Sequence, residues 1–272
     1  MNREEILKQF SKTEDKLFIA KILDKIKFVR TKNQIQVTDF LDTYQQSMVE
    51  KLLSNFSEQQ GMLYGGYEEA ERKILFLYPT KLQTIFQQDK NQNVVIKETI
   101  KVLSIILPPE LYGNYTHRDY LSGIMKLGIK REKIGDIVVN DTGAEILVHV
   151  DMISYLLTHL KDLTRFQKAE IKENEIADLK ITPVQKEEQV ILIPQQRLDV
   201  IVSEILHLSR SKANEIISQE RVFVNHELKI KNATNVKQGD ILTIRGKGRF
   251  EIGEVISQTA KGKIRLQIWK YV

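Results

Sequence analysis

The order of strand-like and helix-like segments between residues 96 and 172 constrains the fold of this 272-residue chain more than any other feature. An apolar, β-branched run ends at Pro108 and Pro109, and a segment with helical spacing ends at Gly128. Asp141-Thr142-Gly143 then joins two strand-like runs, as in a hairpin. A second helical segment and a short closing strand follow. The predicted elements are strands at 96–107, 137–140, 144–150 and 168–172, with helices at 117–127 and 151–163.

In chain order these segments are β-α-β-β-α-β, the split-βαβ arrangement that ferredoxin-like and RRM domains share. We therefore expect an α+β chain with a central ferredoxin- or RRM-like domain. RRM domains bind single-stranded RNA by stacking bases on aromatic side chains of the sheet. The runs 96–107 and 137–140, which would form the two central strands, contain no aromatic residue. The sequence therefore favours this architecture without the stacking surface.

The first 57 residues contain neither Gly nor Pro, the two residues that most often interrupt a helix. Apolar residues recur there at helical spacing, as Ile19, Ile22 and Ile26 do, and this pattern predicts two or three helices. The glycine cluster at 61–67 then indicates a loop and a boundary. We expect a helical domain at 1–60, the α+β domain at 61–180 and a C-terminal domain at 181–272. A polar linker at 173–196, with a short strand at 190–193, is predicted before the last domain.

Positive charge is concentrated at the C-terminal end of the chain. The net charge is +5, but residues 195–272 hold 14 basic and 8 acidic residues, whereas the remainder holds 27 and 28. A basic module on a near-neutral body is typical of nucleic-acid binding, although a solvated lysine-rich surface gives the same pattern. The chain has no cysteine, which excludes disulfides, thiolate zinc sites and a cysteine nucleophile.

Membrane and cofactor roles have no support in the sequence. Apolar runs such as Ile74–Tyr78 fall far short of the roughly 18 residues that a membrane span needs. The charged start, Met1–Glu5, lacks the apolar core of a signal peptide. The five histidines show no metal-ligand spacing. We expect a cytoplasmic monomer without membrane insertion, and with neither metal nor cofactor.

The basic module opens with two short helices. Apolar residues spaced i, i+3, i+4 and i+7 from Leu198 define the buried face of the first, and Ser209 is a good N-cap for the second. Arg210 and Lys212 fall in the first turn of the second helix, where the helix dipole disfavours a cation by about 0.3–1 kcal/mol. A bound phosphate would reverse that cost. The pattern therefore favours an anion site over two solvated side chains.

The residues of this module form a recognisable pattern that extends over about 50 positions. They are Arg197-Leu198-Asp199, Leu208-Ser209-Arg210-Ser211, Ala213, Ile216-Ile217, Val222, Val224-Asn225, Val236, Gly239-Asp240, Leu242 and Ile244. Their order and spacing resemble the S4-type (αL) RNA-binding domain. The resemblance implies that the two helices and the adjoining loop bind structured RNA. Glu220 and His226 depart from the pattern, since the family often has glycine at both positions.

Three upstream segments extend the resemblance to nearly the full length. They are the stretches 65–72 (Gly-Gly-Tyr-Glu-Glu-Ala-Glu-Arg), 116–121 (Thr-His-Arg-Asp-Tyr-Leu) and 127–137. The chain resembles the YlmH family of bacterial proteins, which is encoded near cell-division genes in Gram-positive bacteria. The resemblance implies binding to the large ribosomal subunit. It also implies a role in ribosome-associated quality control of subunits that still carry peptidyl-tRNA.

The resemblance implies that this is a non-catalytic RNA-binding protein whose partners are ribosomal RNA and tRNA. The predicted RNA contacts are Arg197, Arg210, Ser211, Lys212, Asn214, Arg221 and Asn225, with Lys229, Lys237, Arg245 and Lys247 as supporting phosphate contacts. A second basic patch comprises His117, Arg118, Lys126, Lys130, Arg131 and Lys133. A solvated loop after a helix explains that second patch equally well.

Two other functions stay open. S4-type modules are often joined to pseudouridine synthases, whose catalytic Asp lies in a Gly-Arg-Leu-Asp segment. Here Arg197-Leu198-Asp199 follows Gln196 and lies within the binding module itself, which argues against that enzyme. The second alternative is an adaptor that binds cell-division proteins and uses its RNA module only secondarily.

Overall fold

The computed structural model describes residues 3–56, 60–87, 90, 93–179, 181, 186–225, 227–260 and 262–271. The chain forms two compact units, Met1–Thr182 and Pro183–Val272. Within these described ranges, no helix has both the length and the apolar character that a membrane crossing requires. Residues 180 and 182–185 of the predicted linker lie outside the described ranges. The mixture of helices and sheets confirms the expected α+β class.

The first unit begins with helices that pack on a three-stranded sheet. Apolar residues of two helices, among them Ile22 and Val49, form one core with Leu75 and Leu77 of the central strand. The strands are antiparallel, in the order β1-β3-β2. The elements are α1 (Arg3–Lys8), α2 (Thr13–Lys32), β1 (Gln36–Leu41), α3 (Thr43–Leu53), β2 (Gln60–Tyr64) and β3 (Lys73–Tyr78).

Strand β1 corrects the expectation that the first 57 residues are helical. Helix α2 ends at Asn33, which adopts a φ of 59° and donates its N–H to the Val29 carbonyl. Val37 then lies opposite Phe76 of β3. Local periodicity does not reveal this strand, because its partner lies far along the chain. The same sheet includes residues on both sides of position 60, where the sequence predicts a domain boundary.

The rest of the first unit is built on a four-stranded antiparallel sheet in the order β5-β6-β4-β7. Its β-α-β-β-α-β order is the one that the sequence predicts. Tyr120 and Ile124 of one helix and Leu156 of the other are buried against this sheet. The elements are α4 (Gln83–Gln87), α5 (Val94–Lys97), β4 (Ile100–Ile106), α6 (His117–Lys126), β5 (Ile134–Asn140), β6 (Gly143–His149), α7 (Val150–His159) and β7 (Glu170–Asn174).

Two local details differ from the prediction. The strand expected at 96–107 begins only at Ile100, because Asn93 caps a short helix by accepting the Val95 N–H at 3.0 Å. Helix α7 begins at Val150, one residue before the predicted start, because His149 and not a later residue is its N-cap. His149 has that role, since its Nδ1 accepts the Asp151 N–H at 3.4 Å.

The second unit is a six-stranded sheet with both of its described helices on one face. Ile201 and Ile217 of these helices are buried against Leu242, Leu266 and Ile268 of the sheet. The strand order is β10-β9-β11-β12-β13-β8. The elements are β8 (Lys186–Ile193), α8 (Leu198–Ile205), α9 (Arg210–Ser218), β9 (Val222–Val224), β10 (Glu227–Leu228), β11 (Ile241–Ile244), β12 (Gly248–Gln258) and β13 (Ile264–Tyr271).

Candidate nucleic-acid interface

Helix α9 presents its first turn to solvent. The predicted cap is present: the Ser209 Oγ accepts a hydrogen bond from the Lys212 N–H at 3.4 Å. Ala213 and Ile217 are buried and hold the helix on the sheet, whereas Arg210 and Lys212 are exposed. The first N–H groups of a helix have no partner within it, so this end can accept an anion.

A buried carboxylate lies beneath these cations. Asp199, in the first turn of α8, is 2% exposed, and its Oδ2 accepts a hydrogen bond from Arg210 Nη2 at 2.7 Å. Arg197 donates from Nε to Oδ1 at 3.0 Å and from Nη2 to Oδ2 at 3.1 Å. Burial raises the pKa of Asp199, but the two arginines outweigh burial and hold this pKa below its usual value. Asp199 therefore fixes both guanidinium groups at the surface.

Sequence reasoning named both arginines but missed Asp199 as their positioning residue. The available signal was a single acid among apolar neighbours in the sequence. In the structure, every residue from Leu198 to Ser203 is buried. A carboxylate at such a position is rare unless cations and hydrogen bonds compensate its burial. An Asp between two predicted RNA-binding arginines therefore indicates an anchor for them.

The next predicted contacts lie on the same helix. The Ser211 Oγ is 3.0 Å from the Ser209 Oγ and so extends the cap. The Asn214 Oδ1 is shielded from solvent and, among the residues that the structure describes, finds no hydrogen-bond partner. The structure thus brings Arg197 and Arg210 together on Asp199, with Ser211 and Lys212 in the same first turn of α9 as Arg210 and with Asn214 one turn farther along the helix.

Arg221 and Arg245 meet at the loop between β11 and β12. Arg221 Nη2 donates to the Arg245 carbonyl at 2.8 Å, and the Arg245 N–H donates to the Arg221 carbonyl at 2.9 Å. The Arg245 guanidinium lies over the Phe223 ring, 4.7 Å from its centroid. Lys247, in the same loop, is exposed. These bonds fix the loop that carries two of the predicted phosphate contacts, Arg245 and Lys247.

Asn225 has structural partners. Its backbone adopts a φ of 48°, its amide donates to Asp240 Oδ1 at 2.7 Å, and its Oδ1 accepts the Ile241 N–H at 2.8 Å. Asn225 thus holds the turn, and its contact with RNA stays a prediction. Of the two predicted contacts that follow it in the chain, Lys237 is exposed and Lys229 is half-buried.

The second predicted patch divides into two groups. His117, Arg118, Lys126 and Lys130 are exposed. Lys133 is bound to Asp39 at 2.6 Å and to Asp151 at 2.8 Å. Its ammonium is therefore part of an ionic cluster within the first unit.

Arg131 also has structural partners. It donates to the carbonyls of Ile134 and Gly135. Burial and the nearby Arg72 lower the pKa of Arg131 to about 10. Although the His117 side chain is exposed, neighbouring protein atoms displace water from its ring, and this desolvation, with Arg131 close by, lowers the pKa of His117. The structure thus keeps four of the six predicted residues available to a ligand and gives Arg131 and Lys133 internal contacts.

The upstream segments 65–72 and 127–137 meet at Asp136. Its carboxylate accepts hydrogen bonds from the Tyr67 hydroxyl at 2.8 Å and from the N–H groups of Glu71 and Arg72 at 2.6 and 2.9 Å. Arg72 Nε donates to the Ile134 carbonyl at 3.1 Å, which Arg131 also contacts. Arg72 was not among the predicted site residues, although it ends the segment 65–72.

Three family models match the chain. "YlmH, N-terminal" matches residues 14–82, "Putative RNA-binding domain in YlmH" matches residues 85–178, and "S4 domain" matches residues 196–242. The two YlmH models together span most of the first unit. The chain belongs to the YlmH family. The resemblance that the sequence shows to this family and to the S4 domain is confirmed.

Two relatives are similar along most of their length. "Ribosome-associated protein quality control protein P2" of Bacillus subtilis (strain 168) is 28% identical over 261 residues, which cover 95% of this chain and 96% of that protein. A solved structure, "Cell division protein ylmH from Streptococcus pneumoniae", is 22% identical. The structural match covers 64% of this chain and 98% of the solved chain, with a TM-score of 0.49.

The matched ranges divide the candidate residues of this YlmH-family chain. The exposed α9 residues and Asp199 lie within the S4 match, whereas Arg245 and Lys247 lie beyond it. The second patch lies within the RNA-binding match at 85–178. Glu220 adopts a φ of 58°, which explains why glycine suits that position in the family. His226, the other departure, lies outside the described residues.

Proposed function

We propose that this protein is a non-catalytic, cytoplasmic RNA-binding protein of the translation machinery. It binds structured ribosomal RNA or tRNA on the large ribosomal subunit and acts in ribosome-associated quality control of subunits that carry peptidyl-tRNA. Two RNA-binding family matches, at 85–178 and 196–242, support the RNA partner. The name of the Bacillus subtilis relative, a ribosome-associated quality control protein, supports the ribosomal setting.

The pair of arginines on Asp199 is the observation that carries this proposal. Each guanidinium has five N–H donors, and Asp199 takes two from Arg197 and one from Arg210. The remaining Arg210 donors, the uncapped N–H groups of the first α9 turn and the exposed Lys212 all belong to the start of α9. Phosphate oxygens match such donors well, because charge-assisted hydrogen bonds to Arg are strong and directional.

The remaining predicted contacts form two further groups, one in each unit. Arg221, Lys229, Lys237, Arg245 and Lys247 are backbone contacts around the sheet loops, and Asn225 supports the turn between them. In the first unit, His117, Arg118, Lys126 and Lys130 contact RNA. Arg131 and Lys133 hold the loop on which Lys130 lies.

Non-catalytic action is part of the proposal. A pseudouridine synthase needs an Asp that reaches its uridine, and Asp199 is the residue that the Arg-Leu-Asp segment offers. Its burial and its bonds to two arginines oppose that role. An inventory of modified nucleosides in ribosomal RNA from a deletion strain tests this point, and one missing modification would contradict the proposal.

Sucrose-gradient fractionation of cell lysates tests the partner. The protein should co-migrate with the large ribosomal subunit, and Arg210→Glu should abolish that co-migration, because it places an acid where the phosphate binds. Lys168→Glu is the matched control, since it makes the same charge change at an exposed lysine outside the proposed surfaces. Equal co-migration of both variants would exclude the α9 surface.

A further inference from the structure

The sheet of the C-terminal unit has a second face with a composition of its own. The residues that pack against α8 and α9 are aliphatic or Phe250. Side chains alternate between the two faces of a strand, so the intervening residues lie on the opposite face. That face carries three aromatic residues and several cations, with the exposed aliphatic residues Val190 and Leu192 on its β8 edge.

Strand register places five side chains of that face in one row. Phe223 pairs with Thr243, and Thr243 pairs with Arg249. The Arg249 guanidinium lies 4.5 Å from the centroid of Tyr271, and Tyr271 pairs with Lys186. The row therefore crosses β9, β11, β12, β13 and β8 and holds two rings and two cations, with Thr243 between Phe223 and Arg249.

Both rings of this row, Phe223 and Tyr271, have a further cation against them. Lys186 lies 4.9 Å from the Tyr271 centroid, and Arg245 lies 4.7 Å from that of Phe223. Trp269, the one tryptophan of the chain, lies two residues before Tyr271 on the same face, about 7 Å away along the strand. All three aromatic residues are half-buried, so part of each remains accessible.

The charges of this face favour a polyanion. Lys186, Arg245, Arg249 and Arg265 contribute four positive charges, and Glu188 and Glu251 contribute two negative charges. Both acids have partners: Glu251 binds Lys186 at 2.7 Å, and Glu188 accepts from Gln267 at 2.7 Å. A peptide or a second copy of the chain would not need this surplus of cations.

We propose that the outer face of the C-terminal sheet is a second RNA site, in which Trp269, Tyr271 and Phe223 stack unpaired bases while Arg249 and Arg245 bind the adjoining phosphates. Proteins that bind single strands combine stacking rings with a basic surface in this way. The spacing of Trp269 and Tyr271 fits two successive bases, as on an RRM sheet. This site is separate from the α9 surface and uses single-stranded rather than structured RNA.

The fluorescence of Trp269 gives a direct test with the full-length protein. Titration with a 10-nucleotide oligouridylate should quench the emission, because a base stacks on the indole. Tyr271→Ala should weaken this binding at least about fivefold, since one stacked base is lost, whereas Tyr271→Phe keeps the ring and should bind as the parent does. Arg210→Ser should leave the quenching unchanged, which separates this site from α9.

Three results would overturn the proposal. The first is unchanged Trp269 emission at concentrations where the anisotropy of a labelled oligouridylate shows saturation. The second is equal quenching by a duplex RNA of the same length. The third is emission that depends on protein concentration without RNA, which would assign the face to a second copy of the chain. Circular dichroism of Tyr271→Ala, matching that of the parent, shows that this variant is folded.

Discussion

Arg210 Nη2 lies 2.7 Å from Oδ2 of Asp199, and this bond joins the exposed start of α9 to a carboxylate that is 2% exposed on α8. The arginine is half exposed, at 55% of its side chain. One end of the pair is therefore fixed by the core, and the other faces solvent. The bond to Asp199 therefore fixes the position of the Arg210 charge at the surface.

Replacement of Asp199 by Asn should weaken both the fold and RNA binding. The neutral amide keeps the shape of the side chain but loses two charge-assisted bonds. Since both arginines are partly exposed and can be rehydrated, we expect a loss of about 1–2 kcal/mol in the free energy of unfolding. Urea unfolding followed by Trp269 fluorescence measures the C-terminal unit, where that residue lies. A variant as stable as the parent would show that Asp199 does not anchor the arginines.

The same carboxylate predicts an acid-sensitive C-terminal unit. Its pKa is held below its usual value by the arginines, so the folded state binds a proton less readily than the unfolded state does. The stabilisation from this group is complete above about pH 4, the unfolded value, and is lost as pH falls through the lower folded pKa. Urea unfolding between pH 5 and pH 2 should show a smaller loss for Asp199→Asn than for the parent.

Glu220→Gly should stabilise the C-terminal unit. Glu220 adopts a φ of 58°, where a side chain costs roughly 1–2 kcal/mol and glycine does not. The greater entropy of glycine in the unfolded chain offsets part of the gain, so a net increase of about 0.5–1 kcal/mol is expected. Glu220→Ala is the control, because it removes the charge and keeps the strain. An equal gain from both variants would assign the effect to charge.

The sequence predicts most of the elements that have local signals. The β-α-β-β-α-β order, the Ser209 cap and the S4 pattern follow from periodicity, capping and turn residues. Strand β1 has no such local signal, because it is defined by its pairing with β3, which lies far along the chain. The α2 helix before it also ends on Asn33 rather than on glycine, so the stop signal is weak.

The candidate site was predictable in its residue types but not in their partners. Lys130, Arg131 and Lys133 look alike in the sequence. Only the fold shows that Asp39, distant in the chain, binds Lys133, and that main-chain carbonyls bind Arg131. Asp199 shows the opposite case. In the sequence it only reduces the net positive charge, but in the structure it holds both arginines in position.

Lys133 and Lys130 should therefore separate stability from binding. Lys133→Gln leaves Asp39 and Asp151 without their shared cation and should destabilise the first unit by about 1 kcal/mol, since these groups are partly exposed. Lys130→Gln should leave the stability unchanged and weaken RNA binding. Circular dichroism at increasing urea and filter binding to ribosomal RNA measure the two effects. If Lys133→Gln weakened RNA binding and Lys130→Gln lowered stability instead, Lys133 and not Lys130 would be the residue that contacts RNA.

Salt dependence distinguishes a phosphate-binding α9 surface from any other kind of contact. Each phosphate that a lysine or arginine neutralises releases counterions, so the logarithm of the affinity falls linearly with the logarithm of the salt concentration. Lys212 is exposed at the start of α9, and Lys212→Ala should reduce that slope by about 0.7–0.9. Lys168→Ala, the exposed control, should leave the slope as it is. Filter binding to ribosomal RNA at several salt concentrations gives both slopes. A parent protein whose affinity is independent of salt would contradict phosphate recognition at this helix, because the Arg210 and Lys212 contacts would release counterions.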